Sequence, residues 1–180
     1  MAAKVTVGPS EEAISLEEAQ FHVKADADPD NDTILKRAIV TARQRAEHEL
    51  GRPLLPQTCE KRFESFERRM YLWEDVTKIV SIEYVDDAGA DASLGPMDFY
   101  LSGASTARIL ASLPAAREVT ITFECGAFES DTVPESVIEW MLLQVGAISE
   151  NRSSVDSVQT YELPGRFTDG LLDRYRFLSV

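Results

Sequence analysis

DNDTILKRAIVTARQRAEHELGRP, residues 30–53, is the stretch whose reading decides the fold. Leu35, Ala38, Ile39, Ala42, Ala46 and Leu50 recur at helical spacing and form one apolar stripe. Arg37, Arg43, Arg45 and Glu49 populate the other faces. Asp30 or Asp32 can cap the start, because a short carboxylate accepts from the free N–H groups of a first turn. Gly51 stands where a C-terminal cap needs a left-handed residue, and Pro53 stops any continuation. A helix this long with one apolar side must bury that side, so its partners are sought outward along the chain.

On the N-terminal side, residues 1–13 read as an extended leader. Ser15-Leu16-Glu17-Glu18 is a capping box, with hydroxyl and carboxylate each satisfying a free N–H. It predicts a short helix to about Val23, with Leu16, Ala19 and Val23 on one face. An acidic loop, Asp26-Ala27-Asp28-Pro29-Asp30-Asn31-Asp32, joins it to the long helix.

On the C-terminal side the period switches from helical to two. Residues 58–66 alternate loosely, and residues 79–85 (IVSIEYV) read as a strand ending in the turn signal Asp86-Asp87-Ala88-Gly89. Short strands fit Phe99 to Leu101 and Arg108 to Ala111. The clearest strand is Glu118 to Cys125, where Val119, Ile121, Phe123 and Cys125 share one face. A third helix follows Pro134, apolar on nearly every side and closing at Glu150-Asn151-Arg152. After a polar segment, residues 153–160, comes an apolar and aromatic tail. The expected architecture is α+β: a mainly helical core of two N-terminal helices and a long third helix, with an inserted small antiparallel β-sheet and an extended C-terminal tail. Residues 1–180 are read as a single domain, 57–126 as its β-rich insertion and 153–180 as an interaction tail.

Composition narrows the classes of function. The 180 residues are 44% hydrophobic, enough for a real core. No apolar run approaches the roughly 20 residues that span a bilayer, and the first residues lack a secretion-signal pattern, so no membrane role and cytoplasmic synthesis are expected. Eighteen Lys and Arg against 31 Asp and Glu give a net charge of −13. Such a surface repels phosphate, which disfavours duplex binding through a basic patch. It suits a wall past which DNA slides, and it equally suits plain solubility.

Chemistry-bearing motifs are sparse. Asp26, Asp28 and Asp30 fall at calcium-loop spacing, but the glycine and bidentate glutamate such a loop requires are replaced by Asn31 and Arg37. Asp26 to Asp32 therefore reads as a solvated loop with a helix cap. His22 and His48 lie on different predicted helices and form no metal-binding pair. Cys59 and Cys125 sit in alternating stretches without a neighbour that would activate a thiolate, and read as reduced, half-buried core thiols. The glycines are isolated, so no phosphate loop forms. No catalytic residue, metal or cofactor is expected, and the chain is read as a non-enzyme.

The tail is the more suggestive feature. Tyr161, Leu163, Phe167, Leu171, Leu172, Tyr175, Arg176, Phe177 and Leu178 combine the aromatic, aliphatic and arginine chemistry that interfaces enrich. Folding back onto its own domain is the alternative, and both hold if part docks internally while the end reaches a neighbour. The acidic loop (Asp26, Asp28, Asp30 and Asp32) is placed toward a channel or a subunit boundary.

Taken in order, the opening Ile14-Ser15-Leu16-Glu17-Glu18-Ala19, the acidic loop and the helix closing at Glu49-Leu50-Gly51-Arg52 form the first part of a pattern. Val80-Ser81-Ile82-Glu83-Tyr84-Val85, Val133-Pro134, Glu150-Asn151-Arg152 and Leu171-Leu172 before Tyr175-Arg176 complete it. From about residue 12 to 176 this resembles the head–tail connector (adaptor) proteins of long-tailed bacteriophages and prophages. The resemblance implies a virion structural protein of the neck: a dodecameric ring assembled on the portal protein, presenting a platform to a stopper or tail-completion protein. DNA would pass through its channel without specific binding, and the tail would be the portal contact. The family offers no catalytic residue to carry over. A head-closure, tail-completion or tail-terminator protein is the alternative within the virion; a small cytoplasmic hydrolase and a free-standing interaction module lie outside it.

Overall fold

The Ser15 hydroxyl accepts a hydrogen bond from the Glu18 N–H at 3.1 Å, and the first helix, α1 (Leu16–Val23), begins there. A computed structural model of the chain describes residues 2–25, 28–110, 112–151 and 170–177. The chain folds as two compact units: residues 1–10 with 55–127, and residues 11–54 with 128–180.

The second of these units is helical. Lys24, left-handed at φ 52°, closes α1. The long helix, α2 (Pro29–Leu50), begins earlier than its sequence spacing implies: the cap is Asp28, whose carboxylate accepts from the Asp30 N–H, and not Asp30 or Asp32. Pro29 explains the difference, since its fixed φ and missing N–H suit a first helical position. At the other end Gly51 adopts φ 70°, and its N–H and that of Arg52 return to the His48 and Glu47 carbonyls. Leu35, Ala38, Ile39, Ala42, Ala46 and Leu50 are all buried, as the stripe requires. They pack with α3 (Glu135–Asn151), which buries Val137, Trp140, Met141, Leu142 and Val145. Pro134 lies just outside α3, its carbonyl accepting from the Val137 and Ile138 N–H groups. The described end of the chain, residues 170–177, carries one turn of 3₁₀ helix at Asp173–Tyr175.

The other unit is built of strands. One antiparallel sheet runs in the order β1-β2-β8-β4-β5: β1 (Lys4–Val7), β2 (Gln57–Phe63), β8 (Ala116–Cys125), β4 (Val76–Asp86) and β5 (Asp91–Ser93). A second, three-stranded sheet has the order β3-β7-β6, from β3 (Arg69–Tyr71), β7 (Thr106–Ile109) and β6 (Phe99–Ser102). Central β8 is paired on both flanks, which sets the register: Ile121 lies opposite Lys61 on β2 and Ile82 on β4. Val119, Ile121, Phe123 and Cys125 thus point inward together with Cys59 and Ile82. Met70, Ala107 and Ile109 from the smaller sheet complete the same core.

Two expectations need correcting. A single small sheet inserted in a mainly helical core underestimates the β part, because strand and helix occupy comparable lengths and the strands enclose their own core. The supposed leader also contains β1, which pairs with β2 and places Val5 opposite Cys59. The reason is physical: β1, β3 and β5 are three- or four-residue elements, too short to show alternation.

Candidate functional site

Ionisable side chains meet at a few points. On α2, Arg43 donates from Nε to Glu12 at 2.9 Å and from Nη1 to Glu47 at 3.0 Å, and Glu47 Oε1 accepts from the Leu54 N–H. This knot is buried and ties three stretches of the helical unit together. In the strand unit, the Lys61 ammonium donates to the Leu72 carbonyl and lies over the Tyr71 ring, 4.7 Å from its centroid. Burial holds the Lys61 pKa below its usual value. Tyr71 donates to Glu74 at 2.7 Å. Its pKa is pushed up to about 12, by burial first and then by the hydrogen bond to Glu74 and that carboxylate's charge.

Cys59 and Cys125 are buried outright rather than half-buried, with their sulfurs 3.6 Å apart on diagonal positions of β2 and β8. His22 is half-buried on α1 near Gly146 of α3, whereas His48 is exposed on α2. Among the described residues no group of three or more His, Cys, Asp or Glu could hold a metal ion. None of the described helices is long and apolar enough to cross a membrane.

The acidic loop is partly structural. Asp28 is the α2 cap, Asp30 is exposed in the first turn, and Asp32 accepts from the Gln20 amide, tying α1 to α2. Asp26 lies outside the described residues. Of the tail, Tyr161, Leu163, Phe167 and Leu178 lie outside them as well. Leu172 is completely buried within the helical unit. Tyr175 packs edge-on against Phe128, with centroids 6.3 Å apart, and the Phe177 N–H donates to the Leu50 carbonyl at 2.9 Å. Arg176 reaches Glu49 and Asp173, each at 3.5 Å. Leu171 is half-buried and Phe177 is 47% exposed. This stretch therefore docks on its own unit while leaving an aromatic side chain outward.

Open surface depressions among the described residues include three that sequence spacing does not mark. One of about 430 Å³ spans β8, β4 and β5 beside Glu83, Asp91 and Glu118. Another, about 510 Å³, lies between α2 and α3 beside Thr41, Arg45, His48, Trp140 and Gln144. The third surrounds Phe21, which is 87% exposed. A phenylalanine at an outward helical position is the one signal in the sequence that could have marked it.

The arrangement is that of a two-unit α+β protein in which Arg43 and Glu47 are the buried charged side chains among the described residues. No protein-family model matches the sequence, and no curated protein matches it. Its fold is shared with solved chains of phage-like particles. A chain from the neck of an empty gene transfer agent particle, computed with C6 symmetry, superposes with a TM-score of 0.75 at 16% identity over 100% of this chain and 97% of that one. A chain from the virion of the native gene transfer agent particle gives 0.73 at 16% identity with the same coverage. One from the neck of the native particle, computed with C12 symmetry, gives 0.70 at 17% identity, again over 100% and 97%.

Proposed function

We propose that this chain is a structural head–tail connector (adaptor) subunit of a tailed phage or phage-like particle. Subunits form a dodecameric ring between the portal protein and the stopper or tail-completion protein, around the channel through which DNA leaves. The single observation that carries this reading is the end-to-end likeness to gene transfer agent neck chains, both units included. The C12 symmetry of one of those necks supports the ring number. The protein is made in the host cytoplasm, ends in the virion neck and catalyses no reaction. Residues 57–126 act as a β-rich insertion in one connector domain. The tail, residues 153–180, makes the portal contact, with Phe177 outward and the partly exposed Leu171, Tyr175 and Arg176 beside it. Leu172 instead anchors the tail to its own unit. The net charge of −13 keeps passing DNA from adhering to the ring.

The test is co-sedimentation and electron microscopy of the protein mixed with the portal protein or with the tail-tube protein of the same particle. Rings seated on the portal are the expected result. Binding to the tail tube alone would instead assign a tail-completion or terminator role.

A further inference from the structure

We propose that neighbouring copies of this chain meet through the two outer faces of the strand unit, Arg69 and Arg108 of one subunit lying against Glu83, Asp91 and Glu118 of the next. The inference rests on the proposed ring and names the contact between its subunits.

Arg69 on β3 and Arg108 on β7 stand directly opposite each other. The Ile109 N–H donates to the Arg68 carbonyl and the Leu72 N–H to the Ser105 carbonyl. The Arg69–Arg108 pair is therefore a non-hydrogen-bonded one, the kind whose side chains lie closest. Like charges so placed destabilise a sheet. That cost is not relieved within the chain. Neither arginine has a salt bridge among the described residues, and Arg108 Nε is buried without a hydrogen-bond partner. The nearby carboxylates are turned elsewhere: Asp98 accepts from the Gly95 N–H and Glu74 from the Tyr71 hydroxyl, while Glu67, exposed ahead of β3, pairs with neither guanidinium. Tyr100 flanks Arg108 on β6, and Tyr71 lies on the Arg69 side of β3, both exposed. Arginine beside tyrosine is the chemistry that partner-facing surfaces enrich.

Charge names the occupant. The two sheets share one core, so their outer faces point in opposite directions. On the five-stranded side, the depression across β8, β4 and β5 is lined by Glu83, Asp91 and Glu118 and by no lysine, arginine or histidine. Asp87, in the turn before β5, adds a fourth exposed carboxylate. Arg62 shares that face but stands on β2, with Thr120 of β8 between it and Glu83. Arg117, beside Glu118, alternates to the other side of β8. A basic patch and an acidic one on opposite faces of one unit are what a head-to-tail contact requires. They share no residue, so each subunit can use both at once. Arginine on arginine and carboxylate on carboxylate are both repulsive, which gives the contact one direction.

The experiment is disulfide trapping at serines beside the charges, which leaves every charged group in place. Ser102→Cys protein, on the arginine face opposite Thr106, is mixed with Ser93→Cys protein, opposite Glu83 on the acidic face. Cys59 and Cys125 are buried, so the natural thiols stay silent. The control replaces Ser102→Cys with Phe21→Cys, an exposed position of the helical unit. Oxidation is followed on gels, with the protein assembled on its portal and with the free protein at about 0.1 M salt, where charge is screened beyond about 10 Å. The 93–102 cross-link should exceed the 93–21 control by about tenfold, as close charge pairs across an interface contribute. Arg69→Glu with Arg108→Glu on the Ser102→Cys subunit should return it to the control. Glu83→Arg with Glu118→Arg on the Ser93→Cys subunit should then restore it. A yield equal to the control in both settings overturns the contact, and so does a yield that the arginine reversal leaves unchanged. Portal binding without a 93–102 cross-link removes this contact and keeps the neck role; a 93–102 cross-link without portal binding does the reverse. DNA binding that the arginine reversal abolishes, with no cross-link, would give the arginines a different occupant and overturn the contact as well.

Discussion

The Arg43 guanidinium, buried on α2 between Glu12 and Glu47, neutralises a carboxylate that water barely reaches: the Glu47 side chain is 8% exposed. Removing one partner of such a pair leaves an uncompensated buried charge, which costs far more than the pair contributes. Arg43→Ala should therefore lose about 3–5 kcal/mol of stability, read as a lower denaturant midpoint of the helical signal. Glu12→Gln, at the 25%-exposed end of the knot, should lose markedly less. Tyr71 makes a second residue-scale claim. Its raised pKa stabilises the folded state below the ordinary phenol value of 10, and that contribution is lost as pH climbs toward about 12. Lys61 acts in the opposite sense, since the cost of burying its ammonium is present at neutral pH and relieved as pH rises past its lowered pKa. An ultraviolet pH titration, differenced against Tyr71→Phe, should show one phenol ionising late. Glu74→Gln should move it toward 10 without reaching it, because burial, the larger cause, persists.

Elements are held at their ends as much as by their faces, and the ends explain what could be read in advance. Ser15 and Gly51 sit at helix termini where a hydroxyl or a left-handed backbone is needed, and both termini were legible for that reason. β8 was legible because four alternating inward residues serve one core. β1 was not: its four residues are all exposed and its place depends on pairing with β2, some fifty residues away. Gly126, just after β8, carries a constraint that no local pattern reveals. A Cβ there would stand 2.7 Å from the Pro56 nitrogen and 2.8 Å from the Leu55 carbonyl carbon, both backbone atoms that cannot swing aside. Gly126→Ala should thus destabilise the strand unit by about 1–3 kcal/mol, seen as an earlier denaturant transition in Trp73 fluorescence. Candidate surfaces followed the same division. The acidic loop and the tail announced themselves by composition. The α2–α3 depression did not, because it exists only once Arg45 and Trp140 are brought together from positions 95 residues apart in the chain.

At the scale of the whole molecule, charge sets how copies meet. Each carries −13, so like-charge repulsion opposes every approach, and only short-range contacts can offset it. Screening fixes the salt dependence: the Debye length is about 30 Å at 0.01 M salt and about 10 Å at 0.1 M, so repulsion between neighbours is felt across a subunit at the lower value and only near contact at the higher. Purified protein at low salt should accordingly be monomeric by light scattering, and its weak self-association should strengthen as salt rises. On the proposed neck role, portal should shift the balance at either salt, because each docked subunit would hold the next at high local concentration and the cost of bringing copies together would be met by contacts already made. Stable rings of the protein at low salt and without portal would mean that attraction between copies already outweighs their charge.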